Sequence, residues 1–252
     1  KIYMKNRPEY FIGTSGWSYD DWIGKFYPKD IKQSEWIKFL AKYFNTVELN
    51  MSFYRYPFKN MIIGWRNKLP EGFQMTMKAH RSITHYKKLN QVDDLLERFY
   101  SLANLLGDKI GCVLFQTPPF FKKTEKNVKT LVTFLGKLDL HYRNVLEFRH
   151  PSWWNEEIYD ILKKYRVAFC TVSGLNMMSD AVVTADFAYI RFHGPRKAYA
   201  SQYTEKDLEK WGETIILLTQ QSKLKQIYCY FNNDVQGFAI EDALKLKKLL
   251  NQ

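Results

Sequence analysis

Short apolar segments alternate along the chain with longer segments whose apolar residues recur every three or four positions. The short segments are rich in Val, Ile, Phe and Tyr and predict β-strands, whereas the longer segments predict amphipathic helices. Eight strands are predicted, at Tyr10–Thr14, Thr46–Asn50, Phe73–His80, Cys112–Gln116, Val145–Arg149, Val167–Val172, Phe187–Gly194 and Ile227–Phe231.

The helical pattern is weak between Gly174 and Ala185, where we expect a short or irregular helix. Ser34 is the expected N-cap of the first helix, because a serine before an apolar periodic segment satisfies free backbone N–H groups. Helices are predicted over residues 34–44, around 62–65, and over 92–106, 128–138, 156–165, 205–221 and 241–250.

Eight strands that each precede a helical segment, within 252 residues, are typical of an α/β protein with a TIM-type (β/α)8 barrel. Without a break in composition, the pattern predicts one domain over residues 1–252. The alternative is a doubly wound open sheet, which would carry a G-x-G-x-x-G phosphate-binding turn after the first strand. Gly13-Thr14-Ser15-Gly16 lacks that spacing, so the barrel is favoured.

Polar side chains occur in pairs, two residues apart, where the predicted strands end. Residues i and i+2 of a strand share a face, and in a (β/α)8 barrel the C-terminal strand ends form the site. The pattern therefore predicts a polar, mostly cationic pocket. Alternatively, these groups form a salt-bridged layer that caps the core. The set comprises Glu48 with Asn50, Lys78 with His80, Glu147 with Arg149, Arg191 with His193, and Gln116, Asn232 and Asp234.

The residue types suggest a division of roles in this pocket. Glu48 and Glu147 are the candidate general acid and base, and His193 is the candidate for proton transfer. Lys78, Arg149 and Arg191 are expected to bind an anionic group. The other candidate substrate-binding residues are the polar Asn50, Gln116, Asn232 and Asp234, and the aromatic Trp17 and Tyr54, whose rings suit stacking on sugars or bases.

Composition narrows the range of binding partners that we expect. The formal net charge is +12, which suits an anionic small molecule or nucleic acid, although 28 of the 38 basic residues are lysines scattered over predicted helix surfaces. The three cysteines have no disulfide or zinc spacing. A metal site from Glu48, Glu147, His193 and Asp234 has no supporting motif, so none is predicted.

No apolar segment is long enough to span a bilayer, and Lys1–Glu9 lacks the apolar stretch of a signal peptide. We therefore expect a cytoplasmic protein without a membrane partner. The pattern indicates no particular cofactor or oligomeric state.

A series of motifs resembles the domain-of-unknown-function 72 family, the YecE-like proteins. The motifs are Gly13–Tyr19, Phe26–Pro28, Thr46–Asn50 with Phe53–Arg55, Leu114–Gln116 with Pro118-Pro119, Glu147–Trp153, Arg191–Gly194 and Tyr230–Asp234. The resemblance covers nearly the whole chain in order, and it implies a TIM-type barrel in a family whose activity is unsettled. The family motifs fall on Glu48, Asn50, Gln116, Glu147, Arg149, Arg191, His193, Asn232 and Asp234.

The sequence departs from the family pattern at two places and matches it loosely in one segment. Met51 stands where a small residue is usual, His80 lies at a variable position, and residues 199–203 match loosely. The loop after the seventh strand is therefore expected to differ in its substrate contacts.

The leading functional hypothesis is a barrel enzyme that acts on an anionic substrate by acid/base or hydrolytic chemistry. The substrate would carry a phosphate or sugar phosphate, or be nucleic acid. One alternative is a glycosidase-like hydrolase using Glu48 and Glu147. The other is a non-catalytic nucleic-acid-binding protein, which would present a continuous basic surface outside the pocket.

Overall fold

The computed structural model describes residues 7–175 and 177–252. Residues 1–6, which belong to the segment Lys1–Glu9 and to the predicted domain, and Asn176 lie outside the described part. Eight parallel strands form a closed barrel in chain order, with β8 pairing with β1, which confirms the predicted (β/α)8 fold. The strands are β1 (Glu9–Ser15), β2 (Thr46–Leu49), β3 (Gln74–Lys78), β4 (Ile110–Gln116), β5 (Arg143–Glu147), β6 (Ala168–Ser173), β7 (Phe187–Phe192) and β8 (Gln226–Phe231).

The helices surround the barrel. They are α1 (Trp36–Leu40), α2 (Met51–Tyr54), α3 (Lys59–Lys68), α4 (Asp93–Ala103), α5 (Glu125–Leu135), α6 (Glu156–Tyr165), α7 (Glu205–Gln221) and α8 (Phe238–Leu249). The described residues between β6 and β7 form no helix, so the expectation of a short or irregular helix between Gly174 and Ala185 is wrong for them.

The first helix is shorter than predicted, and the N-cap prediction for Ser34 is wrong. Ser34 lies within a 3₁₀ turn, Gln33–Glu35, that precedes α1. After Leu40 the chain continues in hydrogen-bonded turns as far as Phe44, which is buried like Trp36 and Leu40.

Side chains alternate along each strand between two apolar layers. One set packs outward against the helices, as Val47 and Leu49 do, and the other fills the barrel interior. The interior floor is aromatic, and Tyr230 donates or accepts hydrogen bonds with Thr46 (2.6 Å) and Thr76 (2.9 Å). The ionic side chains lie above this floor, toward the C-terminal strand ends.

All three cysteines are buried and free. Among the described residues, no helix is both long and apolar enough to cross a membrane.

Candidate active site at the C-terminal strand ends

Arg191 is the centre of a buried ionic cluster. Its Nη2 atom donates to Glu48 Oε1 and its Nη1 atom donates to Glu147 Oε2, both at 2.6 Å. All three side chains are fully buried. A buried charge is tolerated only when it is paired and hydrogen-bonded. Strands β2, β5 and β7 are therefore connected across the barrel by one guanidinium group.

Arg149 continues the cluster from Glu147 toward solvent. Its Nε atom forms an ion pair with Glu147 Oε1, and its Nη2 atom donates to Gln116 Oε1 at 3.2 Å. Burial would raise the pKa of Glu147, but the charges of Arg149 and Arg191 together hold that pKa well below its ordinary value. Glu147 is therefore ionised at neutral pH.

Glu48 is held by hydroxyl groups as well as by Arg191. Ser15 and Tyr189 each donate a hydrogen bond to one of its carboxylate oxygens, and Asn50 Nδ2 donates to Ser15 Oγ at 2.7 Å. Sequence reasoning missed Ser15 and Tyr189. Tyr189 could have been found, because it lies two residues before Arg191 on β7 and so shares its inward face.

His193 is buried beside Glu147. Its Nε2 atom is 3.5 Å from Glu147 Oε1, and its Nδ1 atom accepts a hydrogen bond from Asn232 Nδ2 at 3.2 Å. This arrangement places the imidazole proton on Nε2. Burial, reinforced by the charge of Arg149, lowers the pKa of His193 to about 3. The imidazole is therefore neutral at physiological pH.

Lys78 lies at the end of β3 and is 8% exposed. Its Nζ atom is 4.3 Å from the centroid of the Phe53 ring. Burial, together with the positive charge of Arg191, lowers the pKa of Lys78 to about 7. Lys78 is thus a half-protonated amine beside the ionic cluster.

Tyr199 approaches the cluster from the loop after β7. Its hydroxyl accepts from Arg149 Nη1 at 3.3 Å, and its ring meets His193 edge-on at 5.6 Å. The backbone of Tyr199 has φ +64°, a left-handed conformation that is uncommon for a residue with a side chain. Sequence reasoning missed Tyr199, since this loop has no regular pattern.

Several predicted site residues lie outside the cluster. Trp17 packs edge-on against Trp65 at 5.4 Å, beside Asn50 in a groove of about 520 Å³. Tyr54 is 64% exposed, and Asp234 accepts a hydrogen bond from Trp22 Nε1 through its backbone carbonyl.

Within residues 7–175 and 177–252, no three His, Cys, Asp or Glu side chains are grouped so that they could hold a metal ion. The two buried glutamates instead contact arginines.

The structure thus defines a (β/α)8 barrel protein with a buried ionic site at the C-terminal ends of its strands. The family model described as "Protein of unknown function DUF72" matches residues 11–252, so the chain belongs to the DUF72 family.

Sequence relatives carry names of uncharacterised proteins. UPF0759 protein YunF of Bacillus subtilis (strain 168) is 26% identical over 272 residues, which cover 96% of this chain and 94% of that protein. UPF0759 protein YecE of Escherichia coli (strain K12) is 27% identical over 144 residues, or 57% of this chain and 50% of that protein.

Solved structures of the same family share the architecture. A DUF72 family protein from Thermotoga maritima MSB8 superimposes with a TM-score of 0.88 at 31% identity, covering 97% of this chain and 100% of that chain. A DUF72 family protein from Enterococcus faecalis V583 has a TM-score of 0.83 at 20% identity, covering 96% of each chain.

Proposed function

We propose that this protein is an enzyme that binds an anionic substrate, bearing a phosphate or sugar phosphate, at the C-terminal strand ends and acts on it by acid/base or hydrolytic chemistry. The observation that carries the proposal is an excess of positive charge in the site. Among the residues that the structure describes, the site contains three basic side chains, Lys78, Arg149 and Arg191, and two carboxylates, those of Glu48 and Glu147.

Arg149 is the best anchor for an anion. It is 9% exposed, and in the described part of the chain its Nη1 atom contacts only weak partners, the Tyr199 hydroxyl and the Met177 sulfur, both at 3.3 Å. A phosphate oxygen would accept a stronger, charge-assisted hydrogen bond from the same donor. Arg191 is less available, because it is fully buried between two carboxylates.

A second polar group supports a substrate with hydroxyl donors. The Oδ1 atom of Asn50 is buried and has no hydrogen-bond partner among the described residues. A buried acceptor without a partner costs about 1–3 kcal/mol. A sugar hydroxyl that donates to Asn50 would recover that free energy, which favours a sugar phosphate.

Proton transfer in this site falls to Glu147 and His193. Both are unprotonated at neutral pH, so in this site each would act as a base rather than as an acid, and their lowered pKa values make them weak bases. The positive charges of Arg149 and Arg191 would stabilise negative charge that develops on a reacting oxygen.

Calorimetric titration with glycerol 3-phosphate tests the proposal. Arg149→Gln should weaken binding about tenfold or more, because a charge-assisted hydrogen bond contributes about 1.5–3 kcal/mol. Arg143→Gln is the matched control, since Arg143 lies at the opposite end of β5 and donates to Gln226 Oε1 at 3.0 Å. Equal binding by both variants would remove the proposal.

The glycosidase alternative has weaker support from the site. A glycosidase needs a carboxylic acid with a raised pKa to protonate the leaving group. Glu147 has the opposite environment, because Arg149 and Arg191 lower its pKa.

A nucleic-acid partner is the second candidate, and a separate observation favours it. The loops that follow β2, β3, β4 and β5 contain basic residues and no Asp or Glu. Exposed aromatic rings lie on the same loops, and Lys88 lies over the Phe120 ring at 5.2 Å. Basic side chains interleaved with exposed rings suit single-stranded nucleic acid. The exposed rings are Tyr54, Phe58, Tyr86 and Phe120.

Fluorescence titration with a single-stranded oligonucleotide tests this candidate. Affinity should fall steeply with salt, and Phe120→Ala with Lys88→Ala should weaken binding further. Lys248→Ala, on the exposed side of α8, is the control. Binding that is insensitive to both salt and the loop variants would exclude this surface.

A further inference from the structure

Lys78 differs from the two arginines of the site because it has no counter-ion among the described residues. Within the described ranges, 7–175 and 177–252, its Nζ atom forms no hydrogen bond and no carboxylate oxygen lies within 4.0 Å. The nearby carboxylates are already occupied, since Glu48 pairs with Arg191 and Glu147 pairs with both arginines.

The side chain of Lys78 points into the barrel. Thr76 precedes it by two residues on β3 and faces the interior, where its hydroxyl meets Tyr230 at 2.9 Å. Because alternate residues of a strand share a face, Lys78 projects inward one layer above Thr76. The amine therefore lies at the level of the ionic cluster.

We propose that Lys78 is a nucleophile that forms an imine with a carbonyl carbon of the substrate. The inference rests on the proposed function, because Arg149 would bind the phosphate of the same molecule. Lysine amines become nucleophilic when burial and neighbouring cations keep them unprotonated.

The reaction is a condensation without oxidation or reduction. The lone pair of Nζ attacks the carbonyl carbon of an aldehyde or ketone, and the C=O double bond opens to a carbinolamine. One amine proton moves to the former carbonyl oxygen to form the carbinolamine hydroxyl. The second amine proton then leaves with that hydroxyl as one water molecule, and a C=N bond forms.

Phe53 and His85 complete the surroundings of the amine. The Phe53 ring lies below Nζ at 4.3 Å and meets the His85 ring edge-on at 4.8 Å. Burial and the charge of Lys78 lower the pKa of His85 to about 4, so this imidazole is neutral. His85 is the candidate that would accept a proton from the carbinolamine and return it to the departing hydroxyl.

Reductive trapping tests the proposal. The protein is mixed with glyceraldehyde 3-phosphate or with glyceraldehyde in the presence of cyanoborohydride, and modified lysines are located by peptide mass spectrometry. Lys78 should be modified roughly a hundredfold faster than exposed Lys245 at pH 7, because burial and Arg191 lower the pKa of Lys78 to about 7 and leave much of its amine unprotonated. Its modification rate should be half-maximal near pH 7.

Lys109 is an internal control. It is also buried, but it lies at the opposite end of the barrel and donates to the Pro70 carbonyl at 2.8 Å. It should remain unmodified. Lys78→Arg keeps a cation that cannot form an imine, so this variant should lose the rapid modification.

Comparing modification by the phosphorylated and the unphosphorylated aldehyde tests this inference separately from the proposed function. Preferential modification of Lys78 by the phosphorylated aldehyde supports both. Equal modification by the two aldehydes supports the imine and removes the anion site. Modification no faster than at Lys245, with glycerol 3-phosphate still bound, overturns the imine and leaves the proposed function standing.

Discussion

Glu147 and Arg149 lie two residues apart, at and just beyond the end of β5, and form an ion pair that reaches from the closed interior to the mouth of the barrel. Glu147 is fully buried, whereas Arg149 is 9% exposed. A ligand that contacts Arg149 therefore alters the charge environment of a carboxylate that it does not touch. The following predictions depend on this layered arrangement.

Replacing Arg191 by Met should lower the free energy of unfolding by about 3–5 kcal/mol, because it leaves Glu48 and Glu147 buried without their shared partner. Urea unfolding at pH 7 measures the change. Arg143→Met is the control, since Arg143 is partly exposed, and its loss should cost about 1 kcal/mol. Equal losses in the two variants would contradict the central role of Arg191.

Tyr189→Phe should cost more stability than Tyr230→Phe. Both hydroxyls are buried, but Tyr189 donates to the carboxylate of Glu48, whereas Tyr230 bonds with the hydroxyls of Thr46 and Thr76. Hydrogen bonds to charged groups contribute about 1.5–3 kcal/mol, against about 1 kcal/mol for neutral ones. Paired denaturation curves provide the comparison, and the reverse order would count against the hydrogen bond from Tyr189 to Glu48.

His193 should make the fold acid-sensitive. Its pKa is about 3 in the folded protein and near 6.5 in the unfolded chain, so only the unfolded chain binds this proton between those values. The free energy of unfolding should therefore fall by about 1.4 kcal/mol per pH unit as the pH decreases from 6.5. Denaturation at pH 5 and pH 7 should show this slope in the wild type and a smaller one in His193→Gln.

Lys78→Met should stabilise the protein at neutral and lower pH. The pKa of Lys78 is about 7 in the folded protein and near 10.5 in the unfolded chain, so the unfolded chain binds the extra proton between those values. The free energy of unfolding contributed by Lys78 therefore rises with pH from 7 toward 10.5.

The advantage of the Lys78→Met variant should accordingly be largest at or below pH 7 and shrink as the pH approaches 10. Urea midpoints at pH 6 and pH 9 measure it. A variant that is less stable than the wild type at pH 6 would show that Lys78 is paired in solution.

Much of the site was predictable because strand periodicity is a local property. Alternation along β5 and β7 places Glu147 with Arg149, and Arg191 with His193, on shared faces whatever the rest of the chain does. The same rule places Tyr189 on the inward face with Arg191. Its residue type alone does not indicate a site residue, because tyrosine is common between apolar residues of a strand. The loops are different: the contact of Tyr199 with Arg149 spans 50 residues and depends on a left-handed backbone conformation.

The sequence alone determined where the eight strands lie along the chain and which charged groups stand at their C-terminal ends. Both follow from hydrophobic periodicity within about ten residues. Only the tertiary structure decided which of those charged side chains pair with each other. Barrel closure brings β2, β5 and β7 close enough for Arg191 to bind both glutamates, so that neither of these carboxylates pairs with Lys78. Ion pairing at distances of a few ångströms depends on side-chain geometry across the barrel. A local sequence pattern does not predict that geometry.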